Sequence, residues 1–300
     1  EIEVHAPAAF LLNFTNPAGL ITEALLRYSP VPTIGLCNLP IGAERRLANA
    51  FAVDRNLVRL DWVGLNHLNW IRGATIKGED AWPKVFQHEL NAARQREDDG
   101  WNFSPAVLET IGMIPCGYLN YYYHHDQILA QQQAAGMTRG EEVKEIERNL
   151  MALYQDPDLT KKPELLEKRG GAYYSKAAVS LISAIANDKQ EVHIVNTRNQ
   201  GAIPNLPGEV VVEIAATIDA SGATPIPADP LPPQIGGLIE AVKAYEVLTT
   251  MAGAEGDRRR ALQALVAHPL VPSFTSAQRM LEALLEAHKE YLPQFLTGEQ

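Results

Sequence analysis

The stretch Val31-Pro-Thr-Ile-Gly-Leu-Cys37-Asn38 decides the fold, because it is an apolar run that ends in a cysteine and an asparagine. Similar apolar runs occupy residues 9–14 and 57–65, and helical patterns over 20–28 and 41–51 separate the three runs. Strands that alternate with helices over short connections predict βαβ units and a parallel sheet. In such a sheet, ligands bind beyond the carboxyl ends of the strands.

The three predicted strands end in amide, thiol and imidazole side chains: Asn13, Asn16, Cys37, Asn38, Asn66 and His67. Taken alone, a cysteine near a strand is more often an inert core residue, because a free thiol behaves as a small hydrophobe. Taken together, Cys37 and His67 indicate a shared divalent metal. Two protein ligands leave positions open for substrate and water, as a catalytic site requires.

Composition excludes several classes of partner. Of the 300 residues, 46% are hydrophobic and 21% are charged, which is typical of a soluble globular protein. The net charge of −10 argues against a nucleic-acid partner. No apolar run approaches the ~20 residues that span a bilayer, so no membrane partner is expected. The two cysteines, Cys37 and Cys116, make no disulfide framework, which favours a cytoplasmic location.

Beyond His67 the pattern becomes helix-rich. Helices are predicted over 83–94, 106–111, 118–133, 140–154 and 174–186, and strands over 191–195 and 209–218. The tail over 233–296 is predicted as amphipathic helix with breaks near Pro269 and Pro272. We therefore expect a helix-rich α+β domain built onto the sheet.

Two more groups of residues carry candidate chemistry. Residues 117–125 form a tyrosine cluster, Gly-Tyr-Leu-Asn-Tyr-Tyr-Tyr-His-His. Most of these tyrosines fit an aromatic core face, but a tyrosine acts as a general base where a nearby cation or metal lowers its pKa. Arg139 fits either a solvated helix start or a bidentate anion clamp. The sequence contains no Gly-x-Gly-x-x-Gly loop and no Gly-x-Ser-x-Gly elbow.

Six motifs occur in order: Asn13-Phe-Thr-Asn16-Pro-Ala-Gly, Gly35-Leu-Cys37-Asn38-Leu-Pro, Gly64-Leu-Asn66-His67-Leu, Tyr118-Leu-Asn-Tyr-Tyr, Arg169-Gly-Gly-Ala-Tyr-Tyr-Ser175 and His193-Ile-Val-Asn-Thr-Arg-Asn199-Gln-Gly. Together they closely resemble family 4 of the glycoside hydrolases, specifically its 6-phospho-β-glucosidases. The resemblance runs from Pro7 to about Ala287. NAD-dependent members of this family are exceptions to the two-carboxylate rule of glycoside hydrolysis.

The resemblance implies hydrolysis of 6-phospho-β-glucosides with two cofactors, NAD and a divalent metal that is usually Mn²⁺. The 3-hydroxyl of the sugar is oxidised to a ketone by NAD⁺, which acidifies the hydrogen on carbon 2. A base removes that proton while the metal stabilises the enediolate, and the aglycone leaves by elimination. Addition of water and reduction of the ketone complete the reaction.

The resemblance also implies a role for each matching residue. Cys37 and His67 would be the metal ligands, and Tyr118 would be the base, with Tyr121 or Tyr122 left open for that role. Asn16 and Asn38 would bind sugar hydroxyls, and Asn66 would support the substrate site. Arg139 would bind the 6-phosphate. Asn13 and Asn16 would contact the cofactor.

Asn38 carries information about the subfamily. Relatives that act on 6-phospho-α-glucosides tend to have Asp after the metal cysteine, and the α-galactosidase and α-glucuronidase branches tend to have His. The β-phosphoglucosidases have Asn there, as this chain does. An amide cannot donate a proton as a carboxylic acid can. Protonation of the leaving group therefore falls to water or to no residue.

The fold implied is α/β. A partial Rossmann parallel sheet would occupy residues 1–65, and a helix-rich α+β domain like the C-terminal domain of lactate and malate dehydrogenases would occupy 66–300. The dinucleotide-binding glycine loop of the family is absent from the sequence, so we expect the first part of the Rossmann domain upstream of Glu1. The exposed faces predicted for the C-terminal helices favour a homodimer or homotetramer.

Two alternatives stay open on the sequence. One is a glycosidase of the same fold that acts on unphosphorylated sugars or uronic acids. The other is a non-catalytic remnant that binds sugar phosphates.

Overall fold

The computed structural model of the chain describes residues 1–95, 102–169 and 173–295. These residues form nine strands: β1 (Leu11–Asn13), β2 (Thr33–Gly35), β3 (Val58–Leu65), β4 (Leu68–Ile76), β5 (Glu79–Asp80), β6 (Ile114–Pro115), β7 (Glu191–Arg198), β8 (Val211–Asp219) and β9 (Gly222–Pro225). They also form thirteen α-helices: α1 (Ile2–His5), α2 (Ala18–Tyr28), α3 (Asn38–Ala50), α4 (Trp82–Gln95), α5 (Pro105–Ile111), α6 (Asn120–Tyr123), α7 (His125–Ala134), α8 (Arg139–Leu153), α9 (Leu165–Arg169), α10 (Tyr174–Ala186), α11 (Pro233–Glu255), α12 (Arg258–Ala267) and α13 (Phe274–Ala287).

The first sheet begins with the predicted parallel pair. Helix α2 connects β1 to β2, and the register places Leu11 beside Thr33 and Asn13 beside Gly35. A parallel pair needs a crossover connection of this kind. The sheet continues with antiparallel neighbours in the order β1-β2-β7-β8-β9. The predicted α/β class is confirmed, while the likeness to the dehydrogenase C-terminal domain stays a prediction.

A second sheet holds the third predicted strand, and here the prediction of a parallel neighbour is wrong. β3 pairs antiparallel with β4, which also pairs with β5 and β6. Asn66 and His67 form the connection of this hairpin, and His67 has the left-handed φ of 64° found in tight hairpin turns. The second half of β3 is apolar because both of its faces are buried. That pattern is also typical of a parallel strand.

The two sheets share one hydrophobic core. Val63, Leu65 and Trp70 of the hairpin join a single cluster with residues of β8 and α11, all of them buried. The residues from β8 and α11 are Val212, Ile214, Ile235, Ile239 and Val242. Burial of these side chains fixes the hairpin against the first sheet, because removal of apolar surface from water is the dominant favourable term in folding.

The helix predicted over 118–133 is interrupted, so that prediction is wrong in its extent. Gly117–Leu119 is a 3₁₀ turn, α6 follows, and α7 starts only after His124, whose φ of −117° and ψ of 35° are not helical. Tyr118 therefore lies in a tight turn at the head of the segment.

The C-terminal tail consists of α11, α12 and α13, as its amphipathic pattern predicts. The expected break near Pro269 separates α12 from α13. A further break occurs at Gly256, whose φ of 71° ends α11 in the left-handed conformation. None of the helices in the described residues combines the length and apolar character needed to cross a bilayer.

Candidate active site

Cys37 lies directly beyond β2 and forms the N-cap of α3. It is buried, and burial is the main cause that raises the pKa of its thiol to about 12. The nearby charge of Glu213 raises this pKa further, whereas the backbone of Leu39 and the side chain of Asn66 oppose the change. The thiol is therefore protonated at neutral pH unless a cation stabilises its thiolate.

His67 reaches the same point from the turn of the second sheet. Its Nε2 lies 3.6 Å from Sγ of Cys37. Burial lowers the pKa of His67 to about 4, so the imidazole is neutral and free to donate a lone pair. Its backbone carbonyl accepts a hydrogen bond of 3.3 Å from the thiol of Cys116.

This pair of donors fits a divalent metal. With typical metal–sulfur and metal–nitrogen bonds at a tetrahedral angle, a sulfur and a nitrogen would be about 3.6 Å apart. Cys37 and His67 have that separation, and soft sulfur and imidazole ligands suit a transition metal. Across residues 1–95, 102–169 and 173–295, no group of three or more His, Cys, Asp or Glu side chains is placed to hold a metal. The pair would leave open coordination positions, while its role as a metal site stays a prediction.

Tyr118 stacks on the imidazole of His67, with ring centroids 4.2 Å apart and planes 28° from parallel. Its side chain is half-exposed, and burial is the main cause that raises its pKa, followed by the neighbouring Cys37. A tyrosine with a raised pKa needs a nearby cation to act as a base. Tyr121 and Tyr122 line the same cavity of about 220 Å³ as His67 and Tyr118.

The amides that follow β1 take two different positions. Asn13 is buried, and its Nδ2 donates to the carbonyl of Ala18 and to the hydroxyl of Thr22, both at 3.2 Å. Its side chain thus shapes the turn that leads into α2. Asn16 is exposed, and its Nδ2 donates to the Tyr174 hydroxyl at 3.2 Å.

The amides nearer the Cys37/His67 pair lie in contact with it or beside it. Oδ1 of Asn38 is 3.9 Å from Sγ of Cys37. Asn66 is buried between the sheets, where its Oδ1 accepts from the backbone N–H of Gly19 at 3.3 Å. Its Nδ2 donates to Glu213 at 3.0 Å.

Glu213 is a central residue that sequence reasoning missed. It lies in β8 and is fully buried, and burial is the main cause that raises its pKa to about 7. Hydrogen bonds from Asn66, Asn196 and Trp62 oppose that change. A signal was present in the sequence, because a single carboxylate interrupts the apolar run Val210-Val-Val-Glu213-Ile-Ala-Ala.

Arg139 lies away from the pair at the first turn of α8. It is exposed, it pairs with Glu142, and its Nη2 donates to the carbonyl of Lys168 at 2.8 Å. In the described part of the chain, Arg139 makes no hydrogen bond or ion pair with Cys37, His67 or Tyr118. Its predicted role at a phosphate stays a prediction.

The fifth motif reaches the site through Tyr174, a second residue that sequence reasoning did not single out. Residues 170–172, the Gly-Gly-Ala of this motif, lie outside the described residues. Tyr174 follows them and packs edge-on against Phe14, with ring centroids 5.2 Å apart. Burial raises its pKa, and the hydrogen bond from Asn16 opposes that change.

Two family models match the chain. The model described as family 4 glycosyl hydrolase covers residues 1–53, and the model of the family 4 glycosyl hydrolase C-terminal domain covers residues 62–271. A Bacillus subtilis protein described as "Probable 6-phospho-beta-glucosidase" is 42% identical over 302 residues, which cover 98% of this chain and 68% of the relative. The 6-phospho-beta-glucosidase of Escherichia coli is 35% identical over 98% of this chain and 68% of its own length.

Solved structures agree with the sequence relatives. The 6-phospho-beta-glucosidase of Thermotoga maritima, solved with manganese, NAD⁺ and glucose-6-phosphate, superposes with a TM-score of 0.87 at 36% identity. The superposition covers 95% of this chain and 68% of that one. Because a family model matches more than half of the residues and relatives above 30% identity align over nearly the whole chain, this chain belongs to family 4 of the glycoside hydrolases.

Proposed function

We propose that this chain hydrolyses 6-phospho-β-glucosides by oxidation, elimination, addition and reduction. The observation that carries the proposal is the 3.6 Å separation of Cys37 Sγ and His67 Nε2, with the Tyr118 ring stacked on the imidazole. The similarity to 6-phospho-β-glucosidases supports the choice of substrate.

Cys37 and His67 would hold a divalent metal, with Mn²⁺ as the first candidate. When bound, the metal would supply positive charge beside the oxygens on carbons 2 and 3 of the sugar, and NAD would accept and return the hydride of carbon 3. The protein contributes two donors, one at the N-cap of α3 and one in the turn of the β3–β4 hairpin. Asn13 would support cofactor binding by fixing the turn before α2. Asn16 would contact the cofactor through its exposed amide.

Tyr118 would remove the proton from carbon 2. Its ring lies against His67, and both residues line the same cavity. Positive charge held by Cys37 and His67 would lower the pKa that burial raises. Tyr121 and Tyr122 line the same cavity and remain the alternatives for this role.

The polar rim would bind the sugar. Asn38 lies beside Cys37, Asn66 is hydrogen-bonded to Gly19 and Glu213, and Asn16 lies three residues beyond β1. Arg139 would bind the 6-phosphate if the α8 start closes over the substrate, since its present partners are an exposed carboxylate and a carbonyl.

We also propose a division at residue 65 between a Rossmann part and the α+β domain, a cytoplasmic location and a homodimer or homotetramer. The gap between the two family matches, residues 54–61, lies close to that division.

A paired-substrate assay tests the proposed function. An aryl 6-phospho-β-glucoside and the plain aryl β-glucoside are compared with NAD⁺ and Mn²⁺ present, with an EDTA-treated sample as control. We expect faster turnover of the phosphorylated substrate, loss of deuterium from a carbon-2 label, and no turnover after EDTA. Faster turnover of the plain glucoside, or retention of the label, contradicts the proposal.

A further inference from the structure

Glu213 accepts four hydrogen bonds in the interior of the molecule. Its Oε1 accepts from Asn66 Nδ2 at 3.0 Å and from Asn196 Nδ2 at 3.1 Å. Its Oε2 accepts from Asn69 Nδ2 at 2.8 Å and from Trp62 Nε1 at 3.1 Å. All four partners donate N–H groups. A proton on this carboxyl would have no acceptor among them, so the hydrogen bonds favour the ionised form and oppose the burial that raises the pKa of Glu213.

Two of the donors flank the residue that carries the imidazole. Asn66 precedes His67, and Asn69 follows it by two positions. Asn69 Nδ2 also donates to the carbonyl of Leu65 at 3.2 Å, which closes the turn on itself. One carboxylate therefore fixes both sides of a turn whose central residue has a left-handed φ.

A third donor leads to the other sheet. Asn196 in β7 pairs with Gly35 of β2, two residues before Cys37. Glu213 thus contacts the turn that carries the imidazole and strand β7, which lies next to the strand that leads to the thiol. Among the described residues, Glu213 makes no hydrogen bond to Cys37 or His67. Its charge raises the pKa of Cys37, and its influence on the geometry of the two donors acts through the residues that support them.

We propose that Glu213 is a positioning residue that sets the separation of Cys37 and His67 for metal binding. The inference rests on the proposed metal centre. Residues that orient metal ligands through hydrogen bonds change affinity by about 10- to 100-fold when they are altered. Glu213→Gln keeps the shape of the side chain but turns one acceptor oxygen into a donor that faces another N–H.

The test is a titration of the chain with Co²⁺ alone, followed by the thiolate-to-cobalt charge-transfer band, and with Mn²⁺ alone, followed by electron paramagnetic resonance of the free ion. Each titration is run at a temperature where circular dichroism shows the variant folded. We expect Glu213→Gln to weaken metal binding by about 10-fold or more.

Glu23→Gln is the matched control. Glu23 is equally buried, but its partners are the backbone N–H of Val211 and the side chains of Arg27 and Lys243, none of which belongs to the turn of His67. We expect it to lower the melting temperature without changing metal affinity. Equal weakening by both variants, or wild-type affinity in Glu213→Gln, overturns the inference.

A second pair of variants covers the case in which Glu213→Gln does not fold. Asn69→Ala and Trp62→Phe each remove one donor to the same oxygen, Oε2. Only Asn69 also closes the turn of His67, so only Asn69→Ala should weaken metal binding. Equal affinities in the two variants contradict the proposal. Failure of the wild-type chain to bind either ion overturns the metal centre itself, and the inference with it.

Discussion

Tyr118 is held by a ring contact. Its ring centroid lies 4.2 Å from that of His67, and its half-exposed side chain lines the same cavity as His67. The stack holds the phenol ring against the imidazole. A phenol held in this way would need a cation beside it to act as a base.

Tyr118→Phe should lower turnover of a 6-phospho-β-glucoside by about 10²- to 10⁴-fold, the usual contribution of a positioned base. The KM should change little, because the ring and its stack on His67 are retained. Steady-state kinetics and exchange of the carbon-2 hydrogen in D₂O measure the effect. Tyr122→Phe serves as the control, and a larger loss in that variant would move the role to Tyr122.

His268 gives a pH dependence of stability. Burial lowers its pKa, and its Nδ1 accepts the backbone N–H of Leu270 at 3.2 Å, a bond that protonation would break. The unfolded chain takes up a proton near pH 6.5 and the folded chain does so only at lower pH. The contribution of His268 is therefore present above pH 6.5 and is lost as the pH falls below it.

His268→Asn keeps an acceptor near the Nδ1 position and removes the titration. We expect the free energy of unfolding of the wild-type chain to fall more than that of the variant between pH 7.5 and pH 5.5. Urea unfolding at the two pH values checks this. An equal loss in both proteins would show that another group carries the dependence.

Among the elements, the β3–β4 hairpin shows which features could be predicted from the sequence and which could not. The apolar run of β3 and the polar pair that ends it were visible in the sequence. The direction of its partner was not, because a strand buried on both faces has the same pattern in parallel and antiparallel sheets. Strand β4 was not predicted at all.

The candidate site still forms, although the predicted direction of the strand pairing was wrong. Cys37 and His67 were expected to meet at one edge of a parallel sheet, and they meet instead where a hairpin turn reaches the end of β2. Glu213 and Tyr174 escaped notice because their importance lies in partners that are distant in sequence. Asn66, for example, is 147 positions from Glu213.

Gly64 is required by the hairpin. Its φ is 138°, and a Cβ there would lie 2.3 Å from the carbonyl oxygen of Leu68. Gly64→Ala should lower the free energy of unfolding by at least about 2 kcal/mol. Gly73→Ala in β4 is the control, since its Cβ would meet Asp61 at an ordinary 3.4 Å. Similar urea midpoints for the two variants would contradict this account.

At the scale of the whole molecule, a buried charge network links the first sheet to the C-terminal helices. Lys243 of α11 pairs with Glu23 of α2 at 3.2 Å and also with Glu246, and all three are buried. Glu23 in turn accepts the backbone N–H of Val211 in β8. Glu23 therefore connects α2, α11 and β8.

Lys243→Met should destabilise the chain by about 3–5 kcal/mol, because it leaves Glu246 buried without its cation and leaves Glu23 with Arg27 alone. Thermal or urea unfolding measures the loss. Lys289→Met is the control, since its pair with Glu286 is exposed and should contribute little. A loss in Lys243→Met no larger than in the control would show that the network is not needed.

The thiol follows a strand of one sheet and the imidazole lies in a turn of the other, so an ion held by both would bridge the two sheets. A small shift of one sheet against the other would change the separation of the two donor atoms before it exposes core residues to water. The affinity for a divalent ion should therefore report how tightly the two sheets pack. It should detect a loosening that does not change the melting temperature.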